Sequence, residues 1–259
     1  MLAEFDFKYD EPIICTAIHN GHELSEKVKE NIAISKKTQL YEEDPFTARF
    51  TKICNNRIIV NTSRFEVDLN RSREKSIYKL PKDAWGLSVW KKPPSKEIIK
   101  VTNEKYKKFY KILKLHLSEM QQKFGIFFVY DIHSYNYRRD GMNSESGARD
   151  PEIILGTNNM PSKWMSLVNK VQNDLQNFDF FGRNLDVRIN VKFSGGNFSR
   201  WIHRNFPDSA CCIAIEFKKI FMDEWTGKLD EQKFIQLKEA LSSTLSGIKS
   251  NLVFPDSID

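Results

Sequence analysis

The chain has 259 residues, a length that suits one large α/β domain. Hydrophobic residues make up 40% of it and aromatic residues 12%, which fits a globular core and excludes disordered, collagen-like and coiled-coil chains. The net charge of +6 comes from 40 basic and 34 acidic residues spread along the chain, with no basic tract interleaved with aromatics, so we expect no nucleic-acid partner.

Strand-like and helix-like segments alternate along the chain. Short apolar runs predict strands at residues 12–18, 57–61, 124–131, 152–155, 185–193 and 210–217. Helical spacing of apolar residues predicts a helix after Ser25 and further helices at about 103–123, 164–178 and 234–248. This alternation predicts one three-layer α/β domain over residues 1–259, with a mostly parallel or mixed sheet whose sites form at strand ends.

The cysteines and the N-terminal residues indicate the cellular compartment of the protein. Cys15, Cys54, Cys211 and Cys212 form no CxxC pair, so we expect reduced, buried thiols. Residues 1–12 are acidic and lack the apolar core of a signal peptide. No apolar run approaches the length of a membrane span. These features predict a cytoplasmic protein with no membrane partner.

Three of the five histidines lie near the ends of strand-like runs. His19 follows the first predicted strand, His22 comes three residues later across a glycine-containing turn, and His133 follows FFVYDI. Three imidazoles on one zinc ion leave a position for water, as a catalytic site requires. The alternative is that such histidines are ordinary hydrogen-bonded residues. We interpret His116, inside the long helix, as structural and leave the role of His203 open.

Acidic residues near these strand ends have two interpretations each. Asp131 either accepts the second ring N–H of His133 or is an ordinary strand-end carboxylate. Glu216 interrupts an apolar strand, so it is either a general base or the partner of a neighbouring lysine. The segment 42–47 either begins a helix, with Asp44 as its N-cap, or helps to hold a metal ion.

Arginines in the segment 63–71 are candidates for binding an anion. The planar guanidinium groups of Arg64 and Arg71 match a carboxylate or polarise a carbonyl. The alternative is a solvated loop with local ion pairs.

Six motifs occur in an order that matches a known family. They are AIHNGH (17–22), EEDPFT (42–47), SRFEVDLNR (63–71), DIHS (131–134), FSGGNFSRW (193–201) and IEFKKIFMDEWTG (215–227). With these motifs, the chain resembles the N-formylglutamate amidohydrolase family, which is related to zinc carboxypeptidases and aspartoacylase.

The resemblance implies a zinc-carboxypeptidase-like fold with one catalytic zinc ion. His19 and His133 match two of the metal ligands. Where the carboxypeptidase relatives have a ligand glutamate, this chain has His22, and Glu43 or Asp44 is the alternative.

The resemblance also implies roles for four other residues. Asn70 and Arg71 match a pair that binds the substrate carboxylate, Arg64 the arginine that polarises the scissile carbonyl, and Glu216 the general base. The predicted reaction is hydrolysis of the amide bond of a small N-acylated amino acid or of a peptide end that carries a carboxylate.

Two other functions remain open from the sequence. One is a metallopeptidase acting on peptides or cell-wall fragments, and the width of a cleft set by the loops 76–100 and 137–151 separates it from the first. The other is a binding protein with a degenerate, non-catalytic metal site.

Overall fold

The computed structural model describes residues 1–145, 147 and 150–252. Within these residues the strands are β1 (Ala3–Asp6), β2 (Ile13–Ala17), β3 (Asn56–Val60), β4 (Phe127–Tyr135), β5 (Ile153–Gly156), β6 (Val187–Ile189) and β7 (Ala210–Lys218). The α-helices are α1 (Glu26–Asn31), α2 (Lys36–Glu42), α3 (Thr47–Phe50), α4 (Lys96–Phe124), α5 (Met165–Gln176), α6 (Asn197–Asn205) and α7 (Glu231–Leu252). None of the helices in this part of the chain is both long enough and apolar enough to cross a membrane.

The described strands form one mixed sheet in the order β1-β3-β2-β4-β7-β5-β6. The central strands β3, β2, β4 and β7 run parallel, whereas β1 pairs antiparallel with β3 and β5 antiparallel with β7. Because β2, β4 and β7 are parallel neighbours, their carboxyl ends meet at one edge of the sheet.

Helices cover both faces of the sheet. Along β4, Phe127 and Val129 pack into the cluster with α4 and α6, while Phe128 and Tyr130 pack into the cluster with α5 and α7. This alternation follows from the two-residue period of a strand that is buried on both faces. The prediction of a three-layer α/β fold with a mixed sheet is confirmed.

Some boundaries differ from those predicted. Helix α4 begins earlier, because the Ser95 hydroxyl accepts a hydrogen bond from Ile98 N at 3.2 Å and caps it there. Strand β4 continues past Asp131 to Tyr135, because β7 pairs with it along its whole length. Ser146, Ala148 and Arg149 of the predicted loop 137–151 lie outside the described residues, as do residues 253–259 of the predicted single domain.

The expectation of four reduced thiols is wrong for one pair. Cys15 on β2 and Cys54 before β3 form a disulfide, which sequence spacing could not indicate because the two residues meet only through the sheet. Cys211 and Cys212 are free and buried, as expected.

The two remaining histidines pack away from the sheet edge where β2, β4 and β7 end. His116 stacks on Phe7, with ring centroids 4.4 Å apart, and its Nδ1 lies 2.5 Å from the hydroxyl of Tyr9. His203 on α6 accepts a hydrogen bond from Cys212 N at 3.0 Å, and burial lowers its pKa to about 4. Both therefore have structural roles, as was expected of His116.

Two leucines on α4 test the assignment of its buried face. Leu113 is fully buried and Leu115 is 63% exposed. We expect Leu113→Ala to lower the free energy of unfolding by about 2–5 kcal/mol, because the cavity it leaves cannot collapse completely. The control, Leu115→Ala, should change it by less than about 0.5 kcal/mol. Urea unfolding followed by circular dichroism measures both, and equal losses would contradict the assignment.

Candidate active site

Side chains at the shared edge of β2, β4 and β7 converge on one cavity of about 380 Å³. His19 follows β2, His133 lies in β4, and Glu216 in β7 is the register partner of His133. The predicted site residues in its lining are His19, His133, Arg64, Asn70, Arg71 and Glu216. The parallel register thus brings together residues that are far apart in the chain.

A compact group of three potential metal ligands lies in the cavity wall. The nitrogen and oxygen atoms offered by His19, Asp44 and His133 all lie within 4.8 Å of one another. Asp44 Oδ2 is 3.0 Å from His133 Nδ1 and 3.6 Å from His19 Nδ1. All three residues are buried. Two imidazoles and one carboxylate are a donor set that suits a divalent transition metal.

Besides Asp44, each of the two histidines contacts another carboxylate through its Nε2 atom. His19 Nε2 is 2.8 Å from Asp68 Oδ1, and His133 Nε2 is 3.1 Å from Asp131 Oδ1. When Nε2–H donates to such a carboxylate, the ring orientation is fixed and Nδ1 points toward Asp44. Asp131 therefore contacts the second ring nitrogen of His133, as the first of its two interpretations predicts.

The charges in this group shift one another's pKa values. Burial disfavours the imidazolium of His133, but the neighbouring carboxylates of Asp131 and Asp44 outweigh burial and raise its pKa well above the usual value. Burial likewise disfavours the Asp44 carboxylate, but its hydrogen bonds with His133 and His19 hold its pKa far below the usual range. The Asp44 carboxylate is therefore anionic where it lies between the two imidazole rings.

The structure does not bring His22 into this group. A Cβ at Gly21 would lie 2.2 Å from the carbonyl carbon of Asn61, so the chain after His19 packs directly on the backbone that follows β3. This path carries His22 away, and its Nδ1 lies 2.5 Å from Glu43 Oε2 beside a different cavity.

Asp44, one of the alternatives to His22, occupies the third position of the group. Its carboxylate contacts the two histidines, so it does not cap a helix. Helix α3 instead begins after Phe46, whose backbone adopts a left-handed conformation with φ of 69°.

Asp68 lines the cavity and was not among the residues that the sequence predicts for the site. Its buried carboxylate accepts from Arg64 Nη2 at 3.2 Å and from the Tyr78 hydroxyl, and it forms an ion pair with Arg71 Nε at 3.3 Å. Burial raises the pKa of Asp68, but His19 and Arg64 more than offset this and hold it well below the usual range. The sequence gives one indication that Asp68 is buried, because it lies between two apolar residues in an otherwise charged segment.

Asn70 is oriented by the glycine-containing segment before α6. Its Oδ1 accepts from Phe198 N at 3.0 Å, and its Nδ2 lies 3.4 Å from His133 Nε2. A Cβ on Gly196 would lie 2.1 Å from Asn70 Oδ1, so only glycine permits this close approach. The side-chain amide nitrogen of Asn70 is therefore directed toward His133.

Glu216 lines the cavity with a carboxylate that is not held by a neighbouring side chain. Among the described residues its side chain has neither a hydrogen bond nor an ion pair. Burial raises its pKa to about 8, against the opposing influence of His133. Lys219 is not its partner, because Nζ of that residue donates to Tyr41 O at 2.7 Å and Glu43 O at 2.8 Å.

The two predicted loops meet at the mouth of the cavity. Trp85 comes from the first loop, and its ring lies 4.9 Å from the guanidinium carbon of Arg64. Arg139 comes from the second loop, 5.8 Å from the same ring, and pairs with both carboxylate oxygens of Glu42 at 2.9 and 2.8 Å. The contact narrows the opening to a small cavity.

Comparison with known proteins gives one match in sequence families. The model of the N-formylglutamate amidohydrolase family matches residues 11–222, a range that contains every side chain of the site. No curated protein matches the sequence.

Two solved structures share the fold. A crystal structure of N-formylglutamate amidohydrolase from Ralstonia eutropha JMP134 superposes with a TM-score of 0.76 at 15% identity, covering 97% of this chain and 98% of that one. A gene product of Agrobacterium tumefaciens gives a TM-score of 0.66 at 16% identity, covering 95% of this chain and 96% of that one. At such low identities the likeness shows the fold alone.

The contact between Gly196 and Asn70 can be tested by a double-mutant cycle. We expect Gly196→Ala to destabilise the protein by about 1–3 kcal/mol, because the added methyl group overlaps the Asn70 amide. In an Asn70→Ala background the same change should cost clearly less. Urea unfolding of the four proteins measures the coupling, and strictly additive losses would contradict the contact.

Proposed function

The chain belongs to the N-formylglutamate amidohydrolase family, and on this premise we propose that it is a zinc-dependent hydrolase of the amide bond in small N-acylated amino acids, resembling N-formylglutamate. The observation that carries the proposal is the convergence of His19, Asp44 and His133 with an unpaired Glu216 in one cavity. A structural ion-pair network would have no need of a carboxylate without a partner in the wall of the cavity.

The metal ligands would be His19, Asp44 and His133. Their donor set, their burial and the carboxylates behind both imidazoles fit a catalytic zinc site. When bound, zinc would act as a Lewis acid that makes water more acidic and polarises a carbonyl. His22 would have no part in binding it.

The arginines and Asn70 would bind and orient the substrate. The Arg64 guanidinium is held on three sides, by Asp68, the Tyr78 hydroxyl at 2.9 Å and Glu42 O at 3.4 Å. A donor fixed before the reaction stabilises developing negative charge without reorganisation, so Arg64 would face the scissile carbonyl oxygen. Arg71 is partly exposed to the cavity and, with the Asn70 amide, would hold a substrate carboxylate.

Glu216 would transfer the proton. A carboxylate with a pKa of about 8 can accept a proton from the attacking water and return it to the leaving amine near neutral pH. Its lack of a partner leaves both oxygens available. The strand register sets it beside His133, at the ligand group.

The narrowed opening of the cavity would favour a small substrate over a peptide chain. Trp85 and Arg139 approach across the opening, and Glu42 holds Arg139 there. A long peptide would have to displace this contact. A metallopeptidase is therefore the less favoured alternative.

The activity can be tested with a substrate panel. The purified protein, supplied with zinc, should hydrolyse N-formyl or N-acetyl amino acids faster than peptides that extend in both directions, measured by amine release. Glu216→Gln should lower kcat by about 10²–10⁴-fold while leaving KM within a few-fold, because it removes proton transfer and spares the arginines. Faster cleavage of the peptides would favour the metallopeptidase, and no cleavage of any substrate would favour a non-catalytic binding protein.

The metal can be tested without reference to activity. The wild-type protein should bind about one zinc ion per chain, and His133→Ala and Asp44→Ala should each weaken binding by at least about 100-fold. His22→Gln is the matched control: it keeps a donor for Glu43, and it should retain zinc. Metal analysis after dialysis and competition with a chelator measure the affinities. Loss of zinc in His22→Gln with retention in Asp44→Ala would overturn the ligand set.

A further inference from the structure

A second cavity, of about 600 Å³, lies beside His22 and shares no lining residue with the site at the sheet edge. It is formed by the segment between His22 and Glu43, which includes α1 and α2. Its volume falls in the range of about 300–1,000 Å³ that is typical of small-molecule sites. Nothing in the proposed hydrolysis uses it.

The wall of this cavity is mainly aliphatic. Leu24, Ile32, Ile34 and Leu40 contribute to it, and all four side chains remain partly accessible. Apolar side chains that line an open cavity bind the apolar part of a ligand, because its burial removes both surfaces from water.

His22 supplies a polar group in the wall of the cavity. Its Nδ1 is held by Glu43 Oε2 at 2.5 Å, and the other oxygen of Glu43 accepts from the hydroxyl of Ser63. The Glu43 side chain is fully buried, so its charge is compensated inside the wall. This contact holds the ring of His22, whose side chain is 46% exposed, in place in the cavity wall.

The remaining charges that line the cavity are positive. Lys29 pairs with Glu26 at 2.7 Å, whereas Lys36 forms no ion pair with any described residue. An aliphatic wall that carries an ammonium group without an ion-pair partner is complementary to a molecule with an apolar tail and an anionic head.

We propose that this cavity binds a small aliphatic monocarboxylate of about the size of octanoate. The carboxylate contacts Lys36, and the hydrocarbon chain lies along Leu24, Ile34 and Leu40. The site is separate from the proposed zinc site, although Glu43 and Asp44 are adjacent in the chain.

The proposal can be tested by calorimetric titration of the full chain with octanoate, octan-1-ol and octylamine. Octanoate should bind more tightly than either control of equal chain length. Lys36→Gln should weaken octanoate binding by about tenfold, as expected for the loss of one charge-assisted contact. Lys37→Gln is the matched control, since Lys37 is the neighbouring exposed lysine on α2 and does not line the cavity.

A variant whose larger side chain fills the cavity tests whether octanoate binds there. Ile34→Trp should abolish octanoate binding while the far-ultraviolet circular dichroism spectrum stays that of the wild type. The inference is overturned if octanoate does not bind, if octan-1-ol binds equally well, or if Lys36→Gln and Lys37→Gln behave alike.

The outcome is independent of the proposed hydrolase activity. Glu216→Gln should bind octanoate with wild-type affinity, and Lys36→Gln should hydrolyse substrate at the wild-type rate. Loss of octanoate binding in Glu216→Gln would place the ligand in the other cavity and overturn the inference.

Discussion

The buried carboxylate of Asp68 is the interaction on which the arrangement at the sheet edge depends. It contacts the guanidinium groups of Arg64 and Arg71 and the phenol of Tyr78, all close to it in the chain, and the imidazole of His19, which follows β2. The two guanidinium groups would be costly to hold close together in the wall of the cavity without a shared anion. One carboxylate thus sets the orientation of His19 and of both arginines together.

The sheet provides the second constraint. His133 and Glu216 are register partners on adjacent parallel strands, so their separation is set by backbone hydrogen bonds and not by loops. Strand β2, the parallel neighbour of β4, ends just before His19. Groups placed by rigid strands are held more accurately than groups placed by loops, which suits chemistry that depends on short distances. The loops contribute the parts that define the opening, Trp85 and Arg139.

The sequence was sufficient for the layers of the fold and for the residues that lie on or directly after strands. His19, His133 and Glu216 were found because apolar runs mark the strand ends. His22 and Asp44 could not be separated, because the direction of the turn after His19 depends on how Gly21 packs against Asn61, a contact between distant segments. The Cys15–Cys54 disulfide was missed for the same reason. Asp68 was passed over because a charged loop and a buried ionic centre have the same composition.

The contact at the mouth of the cavity has a kinetic consequence. The Trp85 ring lies 4.9 Å from the guanidinium carbon of Arg64 and 5.8 Å from that of Arg139, so one indole joins the wall of the cavity to its opening. Arg139 can move away from this ring without disturbing Arg64, which keeps its contacts with Asp68, Tyr78 and Glu42. Where separation of the loops limits the exit of a molecule, the strength of the contact between Trp85 and Arg139 would set that rate while the arginine stays in place.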